Sequence, residues 1–355
     1  MQGAYDLKEP RRNLEFNERQ VDLITIRQPL TGRYVRFFQS ISKISKVNLI
    51  TGTLTSTIYL KMKANTLLAY AIMFGKSIGK GPALLDAVAA LCGFFRSRND
   101  LVVDFRMPLA PQLVWLGHPR LASIIQRMED LVQDGSLVIA PNEIMARMCQ
   151  ERGAVSVKIV PNYPTRDFKP TVGCRNWKVM HELDPDGHVA LFTGGIWVRE
   201  IYGLDMLLES WKLVENSVDA DLVILGELPN DYIHKMIRSL NIRRLHLSGR
   251  VGLHDVANWV NCADVCLAPR TPGFPKRFYD DKDSTKISEY AALEKQIVAA
   301  GYAPSTQYLL VDQTPKAFAE GIMKGLDEKI TPPKPHYWEE NEPSMLTWLE
   351  DVWFG

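Results

Sequence analysis

The stretch Asp281-Lys-Asp-Ser-Thr-Lys-Ile-Ser-Glu289-Tyr-Ala-Ala-Leu-Glu-Lys-Gln-Ile-Val-Ala-Ala-Gly301 reads as a polar loop, a helix and a short apolar strand. Asp281 and Glu289 bracket the helix start, with Ser284, Thr285 and Lys286 between them. The first turn of a helix presents backbone N–H groups without intrahelical partners and the positive end of the helix dipole. A diphosphate suits such a place, and carboxylates on either side accept hydrogen bonds from sugar hydroxyls. The stretch therefore predicts an anion site flanked by polyol-binding groups, the arrangement a nucleotide-sugar requires.

Outward from this stretch the same grammar repeats. Strands are predicted at His188 to Thr193, Asp221 to Leu225, His246 to Gly249, Asp264 to Ala268, Gln296 to Ala300 and Tyr308 to Asp312. Helical patterns run over Gly203 to Val214, Asp231 to Leu240 and Val256 to Asn261. The first half has strands at Val21 to Ile26, Val47 to Thr51, Asp100 to Asp104, Ser136 to Ala140 and Val157 to Val160. Its helices are Tyr34 to Ser42, Pro119 to Gln133 and Asn142 to Arg152. Strands alternating with helices imply parallel α/β sheets. Pro161-Asn-Tyr-Pro164 reads as a linker between two such halves, and an aromatic helix, Tyr337 to Trp353, follows the Pro-rich break at 332–335.

At 355 residues the chain is long enough for two domains with separate cores. Hydrophobic content of 46% and charged content of 23% are those of a globular protein. The net charge of +1 hides an asymmetry, because Leu23 to Leu85 contains no Asp or Glu. Cys92, Cys149, Cys174, Cys262 and Cys266 are scattered and odd in number, which argues against a disulfide framework and for a reducing, cytoplasmic setting. No zinc spacing accompanies Cys262 and Cys266, so no metal is expected. The N-terminus lacks the apolar core of a signal peptide, and apolar runs such as Leu67 to Phe74 are too short to span a bilayer. No zinc finger, helix-turn-helix or aromatic–basic RNA motif is present, so nucleic acid is not an expected partner.

Ligands of parallel α/β sheets bind at the carboxyl ends of strands. Three such ends carry suggestive residues. Gly194, Gly195 and Arg199 follow the strand ending at Thr193; Arg250 and Val251 follow Ser248-Gly249; the Asp281 to Glu289 loop is the third. Glycines let a backbone approach a ligand and arginine suits phosphate. Each residue also has an ordinary use, since paired glycines make turns, Asp and Ser cap helices and an exposed Glu pairs with a neighbouring cation. Their coincidence at three ends of one sheet is what points to a shared site.

The second half resembles the C-terminal domain of GT-B glycosyltransferases, specifically the retaining family 4 type, the glycosyl transferases group 1. The pieces that carry the resemblance come in order: Phe192-Thr-Gly-Gly195, Tyr202-Gly203-Leu-Asp-Met-Leu-Leu208, Leu222-Val-Ile-Leu-Gly226, His246-Leu-Ser-Gly-Arg-Val251, Asn261-Cys-Ala-Asp-Val-Cys-Leu-Ala-Pro269, and Ser284-Thr-Lys-Ile-Ser-Glu-Tyr. Val160-Pro-Asn-Tyr-Pro164 is similar to the family's interdomain "PN" segment. The resemblance implies an α/β GT-B fold, two Rossmann-like domains facing each other across a cleft. The first, acceptor-side domain would span residues 1–164, with 337–355 packing back on it. The second, nucleotide-sugar domain would span 165–336.

The resemblance also implies roles. Glu289 would hold the ribose hydroxyls, Asp281 the transferred sugar, and Ser284, Thr285 and Lys286 the diphosphate. Gly32, Gly194, Gly195 and Gly226 would approach the donor, with Arg199, Arg250 and Val251 about its phosphates or base. Asp104 and Arg106, just past a strand of the first domain, would line the acceptor side. The chain departs from the family pattern where Asp281 stands for Glu, Gly195 for Arg and Tyr202 for Lys, which leaves Arg199, Arg250 and Lys286 as sources of phosphate charge. The implied reaction retains anomeric configuration and needs no metal or other cofactor, because basic groups and helix N–H donors stabilise the leaving diphosphate. The acceptor would be a glycan or a lipid-linked glycan. Tyr59 to Lys63 and Thr66 to Lys80 interleave basic and apolar residues, as a segment peripheral to an anionic membrane does, and equally as a buried helix with solvated flanks. The rival reading is a non-catalytic sugar-nucleotide-binding or scaffold protein.

Overall fold

The computed structural model describes residues 18–28, 32–55, 81–86, 100–194, 202–226, 231–275, 278–327, 330–331 and 333–355. Gly195, Arg199, the arm before Glu18 and the basic stretches Tyr59 to Lys63 and Thr66 to Lys80 lie outside these residues. The chain divides into two compact units. Unit one gathers Met1–Ala110, Pro119–Val160 and Asn341–Gly355; unit two gathers Pro111–His118 and Pro161–Glu340.

Unit one is built on β1 (Gln20–Gln28), β2 (Lys46–Thr55), β3 (Ala83–Asp86), β4 (Leu101–Asp104), β5 (Leu137–Ala140) and β6 (Ser156–Ile159). All pair in parallel, in the order β2-β1-β3-β4-β5-β6. A parallel sheet is covered on both faces, so its inner strands read as unbroken apolar runs. Leu101, Val102 and Val103 fit that rule. The described helices of this unit include α1 (Gly32–Ile41), α3 (Pro119–Gln133), which opens with proline at its first position, and α4 (Glu143–Glu151). Asn142 caps α4, its Oδ1 accepting from the Met145 N–H at 2.8 Å. Between β4 and α3 runs α2 (Leu109–Trp115).

Asp104 breaks the apolar run of β4. It is fully buried, and Arg33 of α1 grips it with Nε at 3.1 Å and Nη2 at 2.8 Å, while Arg33 Nη1 donates to the Val160 carbonyl. Asp104 is thus enclosed in a structural ion pair and offers no exposed oxygen to an acceptor, contrary to the role its position past β4 suggested. Arg106 is half-buried.

The C-terminal helix α11 (Glu342–Phe354) belongs to unit one. Glu342 accepts from Ser40 Oγ and Lys43 Nζ at the end of α1, Arg19 pairs with Glu350, and Trp348 Nε1 donates to Ser156 Oγ. Met345, Leu349, Trp353 and Phe354 are buried.

Unit two is built on β7 (His188–Thr193), β8 (Ala220–Leu225), β9 (Leu245–Gly249), β10 (Val265–Pro269), β11 (Gln296–Ala300) and β12 (Leu309–Val311), again all parallel. The order is β12-β11-β10-β7-β8-β9. Chain order therefore runs outward in both directions from the β7–β10 pair, the doubly wound pattern whose crevice binds ligands at that junction. Of its helices, α5 (Cys174–Met180), α7 (Asp231–Leu240) and α8 (Leu253–Cys262) accompany α6 (Leu204–Val214), α9 (Thr285–Ala292) and α10 (Pro315–Asp327). Leu204, Leu207 and Trp211 of α6 and Phe318 and Ile322 of α10 form one core with Ala190, Phe192, Leu222 and Ile224 of the strands.

Candidate active site

β7 and β10 end side by side at Thr193 and Pro269. Three pieces of chain converge there: Gly194 after β7, Arg270 after β10, and the first turn of α9. α9 is moored to β7 by Tyr290, whose hydroxyl accepts from the Thr193 N–H at 2.8 Å and lies 2.9 Å from Thr193 Oγ1. Lys286 is one turn earlier on the same helix face and reaches the same strand end. Its Nζ lies 4.0 Å from the Phe192 ring centroid and 4.8 Å from that of Tyr202. That Nζ is buried and has no hydrogen-bond partner among the described residues. A Cβ on Gly194 would come within 3.2 Å of it, so the glycine leaves room for the ammonium group.

Arg270 is 9% exposed. Its guanidinium stands 4.9 Å from the Phe274 ring, 4.8 Å from Tyr279 and 4.9 Å from Tyr302, and its Nε is buried without a partner among the described residues. Burial works against the cation, but the phenols of Tyr302, Tyr279 and Tyr202 and the carboxylate of Asp283 outweigh it and raise its affinity for its proton. Lys286 is treated in the opposite way. Burial and the neighbouring Arg270 hold its proton affinity well below the usual lysine range, with only Glu289 opposing them. A guanidinium after β10 and an amine from α9, both desolvated and lined by aromatic rings, can together receive an anion.

The backbone around Arg270 is fixed from several sides. Its N–H donates to the Ala300 carbonyl, and its carbonyl accepts from Gln313 Nε2. Gly203, the residue before α6, adopts φ 57° against it; its N–H donates to Thr271 Oγ1 at 3.0 Å, and a Cβ there would stand 2.8 Å from the Arg270 carbonyl carbon. Only glycine takes this position without strain. The tyrosine wall is braced by the segment Pro111–His118, where Gln112 Nε2 donates to the Tyr279 hydroxyl at 2.7 Å and Trp115 meets Phe274 edge-on at 5.4 Å.

The loop before α9 sorts its acids. Asp280 Oδ1 accepts from the N–H groups of Lys282 and Asp283 and closes the turn. Asp281 Oδ1 accepts from Ser305 Oγ at 2.6 Å, and the side chain lines a small hollow with Ser288, Ala291 and His336. This is the α9 face away from Lys286 and Tyr290. Asp283 is the acid that acts on Arg270. Ser284 precedes the helix, buried, with no capping bond from its side chain. Asn162, itself buried, holds the loop in place: its N–H donates to the Lys282 carbonyl at 2.7 Å, its Nδ2 to the Asp283 carbonyl at 3.2 Å, and its Nδ2 also to Thr285 Oγ1.

Of the sequence-predicted residues, Gly194 and Lys286 thus meet at the end of β7, with Ser284, Thr285 and Glu289 on the first turns of the same helix. Asp281 sits on the loop with its carboxylate given to Ser305. Gly226 bridges to Gly249, its N–H donating at 2.8 Å and tying the ends of β8 and β9 together. Arg250 is exposed and makes no ion pair among the described residues, and Val251 is half-buried beyond β9. Gly32 opens α1 in unit one. Sequence reasoning passed over Arg270, Asp283 and Asn162 as site residues. The signal for Arg270 was available: a charged residue directly after the buried run Val265–Pro269, at a strand's carboxyl end.

Residues 187–328 match the family described as glycosyl transferases group 1. No curated protein matches the chain. Among solved structures, sucrose-phosphate synthase from Thermosynechococcus elongatus is similar with a TM-score of 0.69 at 13% identity, covering 95% of each chain. WaaG, a glycosyltransferase involved in lipopolysaccharide biosynthesis, gives 0.60 at 14% identity and 94% of each chain. HepE from Anabaena, in complex with UDP and glucose, gives 0.58 at 13% identity, covering 94% of this chain and 95% of its own. The family match falls on the unit that carries Arg270, Lys286 and Glu289: residues 187–328 are similar to the glycosyl transferases group 1, and the likeness to solved structures shows an α/β fold of the GT-B type.

Proposed function

We propose that unit two binds the diphosphate of a nucleotide-sugar at the β7–β10 junction and that the chain transfers the sugar, with retention, to a glycan or lipid-linked acceptor served by unit one. The observation that carries this reading is the Nζ of Lys286 at the first turn of α9, beside Gly194 and without a partner among the described residues. As the bond from the anomeric carbon to the donor phosphate breaks, negative charge grows on the leaving diphosphate. Lys286 and the N–H groups at the start of α9 meet that charge. The acceptor oxygen bonds to the same face of the anomeric carbon, and the leaving phosphate takes the acceptor's proton. Glu289, one turn along α9 from Thr285, takes the ribose hydroxyls. Of the loop acids, Asp281 reaches the transferred sugar by exchanging its bond from Ser305 for one from a sugar hydroxyl. HepE was solved with UDP-glucose, which puts uridine donors first among those to try.

A thermal-shift panel of UDP-, GDP-, ADP- and TDP-sugars on the parent and on Glu289→Ala tests the proposal. Ligand binding raises the melting temperature through RT ln(1 + [L]/Kd). One nucleotide class is expected to stabilise the parent, with the shift reduced or lost in the variant. No shift with any donor would refute it. A second reading, a sugar-nucleotide-binding protein without turnover, is favoured by the engagement of Asp281 with Ser305 and by Tyr202 at the family's lysine position. Stabilisation by a donor without release of its nucleoside diphosphate, under any acceptor glycan tried, would select that reading.

A further inference from the structure

We propose that Arg270 and Lys286 close as a two-cation clamp on the donor's diphosphate and that closing the clamp draws a proton from solvent onto Lys286. The proposal rests on the donor-site reading above and adds to it a second phosphate-binding cation and a linkage to pH. Its basis is geometric. Arg270 comes from the end of β10 and Lys286 from α9, so the two cationic groups reach the same junction from different elements. Both are wrapped in aromatic rings, and neither Lys286 Nζ nor Arg270 Nε has a hydrogen-bond partner among the described residues. Desolvated donors left unbonded are costly, and two of them at one ligand-binding crevice are satisfied together by an oxyanion.

Every described charged or titratable group facing Lys286 enters the pH argument. Arg270, from β10, repels its charge; Glu289, on α9 itself, attracts it; Tyr202, ahead of α6, offers its ring face; Asp283 acts on Arg270. In the empty site burial and Arg270 dominate, so Lys286 is held well below its ordinary range. A diphosphate reverses the balance by supplying negative charge at hydrogen-bond distance. The bound state therefore holds the Lys286 proton more tightly than the free state does. The uptake is largest between the free and bound pKa values of Lys286. Affinity falls as pH rises from the free value to the bound value, because the proton must then be taken from a scarcer supply, and levels off above it.

The test is calorimetric titration of the full chain with inorganic pyrophosphate and with UDP, in two buffers of different ionisation enthalpy. Protons are counted in the UDP titration above about pH 7.5, where its terminal phosphate, with a second pKa near 6, is already ionised; pyrophosphate, which still carries a proton there, reports affinity alone. Net proton uptake on UDP binding is expected in the parent. Lys286→Arg, charged at every working pH, is expected to bind with almost no uptake; Lys286→Met is expected to bind roughly tenfold or more weakly, also without uptake. Arg270→Gln is expected to weaken binding by a similar factor and Arg270→Lys to restore part of it. Melting temperatures of all variants separate lost binding from lost folding, and Lys286→Arg carries the test if the Arg270 variants are unstable. Parent binding with no proton exchanged, or unchanged affinity in a folded Arg270→Gln, overturns the clamp. So does failure of the parent to bind either anion. Pyrophosphate uptake through these residues with no response to any nucleotide-sugar would leave the clamp standing and sink the donor reading. Donor binding indifferent to Arg270→Gln would do the reverse.

Discussion

Single residues fix the chain around Arg270. Gly203 is the sharpest case in the described structure. Its φ of 57° is unfavourable for any residue with a Cβ, and that Cβ would lie 2.8 Å from the Arg270 carbonyl carbon. Gly203→Ala is expected to cost about 2 kcal/mol or more from backbone conformation alone, with further loss from displacing Arg270. Chemical denaturation would register the first effect, and a donor affinity lower than the stability loss explains would register the second. An alanine variant as stable as the parent would contradict the strain argument. Asn162 plays the complementary part, since its side chain and its own N–H hold Lys282 and Asp283 of the loop before α9 and Thr285 at the helix start. The asparagine of Pro161-Asn162 thus has a local physical role in this chain: it fixes the start of α9.

At the scale of elements, α2 shows how a helix end can be tied to pH. The Leu109 N–H at its start donates to Glu129 Oε1 at 2.7 Å, and Arg152 approaches the other oxygen at 3.4 Å. Burial is the largest influence on Glu129 and pushes its pKa from 4.5 up to about 7, against the pull of the Leu109 N–H and Arg152. Because the folded value is the higher one, the folded state binds the extra proton. The stability contributed by the group is complete below pH 4.5 and declines as pH rises to about 7. The full swing is ~3 kcal/mol by linkage. Glu129→Gln keeps an acceptor for the Leu109 N–H and cannot ionise, so its unfolding free energy is expected to lose that decline. Urea titrations of both proteins across this pH range provide the check, and parallel pH profiles would refute the assignment. The uptake of a proton by Lys286 on donor binding belongs to the same class of effect, with an anion in place of unfolding as the linked event.

At the scale of the whole molecule, each unit closes its own sheet and its own core, and unit one does so with residues from both ends of the described chain. α11 buries Met345, Leu349, Trp353 and Phe354 and fastens through Glu342 to Ser40 and Lys43 and through Glu350 to Arg19. Fully burying one such side chain is worth about 1.5–3 kcal/mol, so four of them approach the total stability of an ordinary domain. Truncation after Asn341 is expected to unfold unit one or leave it marginal. Hydrogen exchange would show this as lost protection in β1, β4 and β5. Retained protection there would mean that α11 is dispensable.

Much of the fold was legible because parallel strands buried on both faces leave an unmistakable apolar run. His188 to Thr193 and Gln296 to Ala300 were read with the bounds the structure gives to β7 and β11, and the helix Pro119 to Gln133 likewise. Short or weakly patterned elements escaped: β3 has four residues, α2 and α5 seven each, and α10 carries internal glycines at Gly321 and Gly325 that lower its helical signal. For the site, sequence alone gave the order of residues around the start of α9, because capping residues, spacing and the strand that follows are local features. Which acid faces which partner was not local. Asp280, Asp281 and Asp283 are near-equivalent along the chain, and the turn, Ser305 and Arg270 divide them only in the folded structure. Asp104 likewise read as an acid lining the acceptor side until Arg33, 71 positions away, enclosed it. The meeting of Arg270 with Lys286 was decided by tertiary structure for the same reason. A parallel sheet brings strand ends together by its winding order, and the charge that matters at a crevice is the sum over elements that the sequence holds apart.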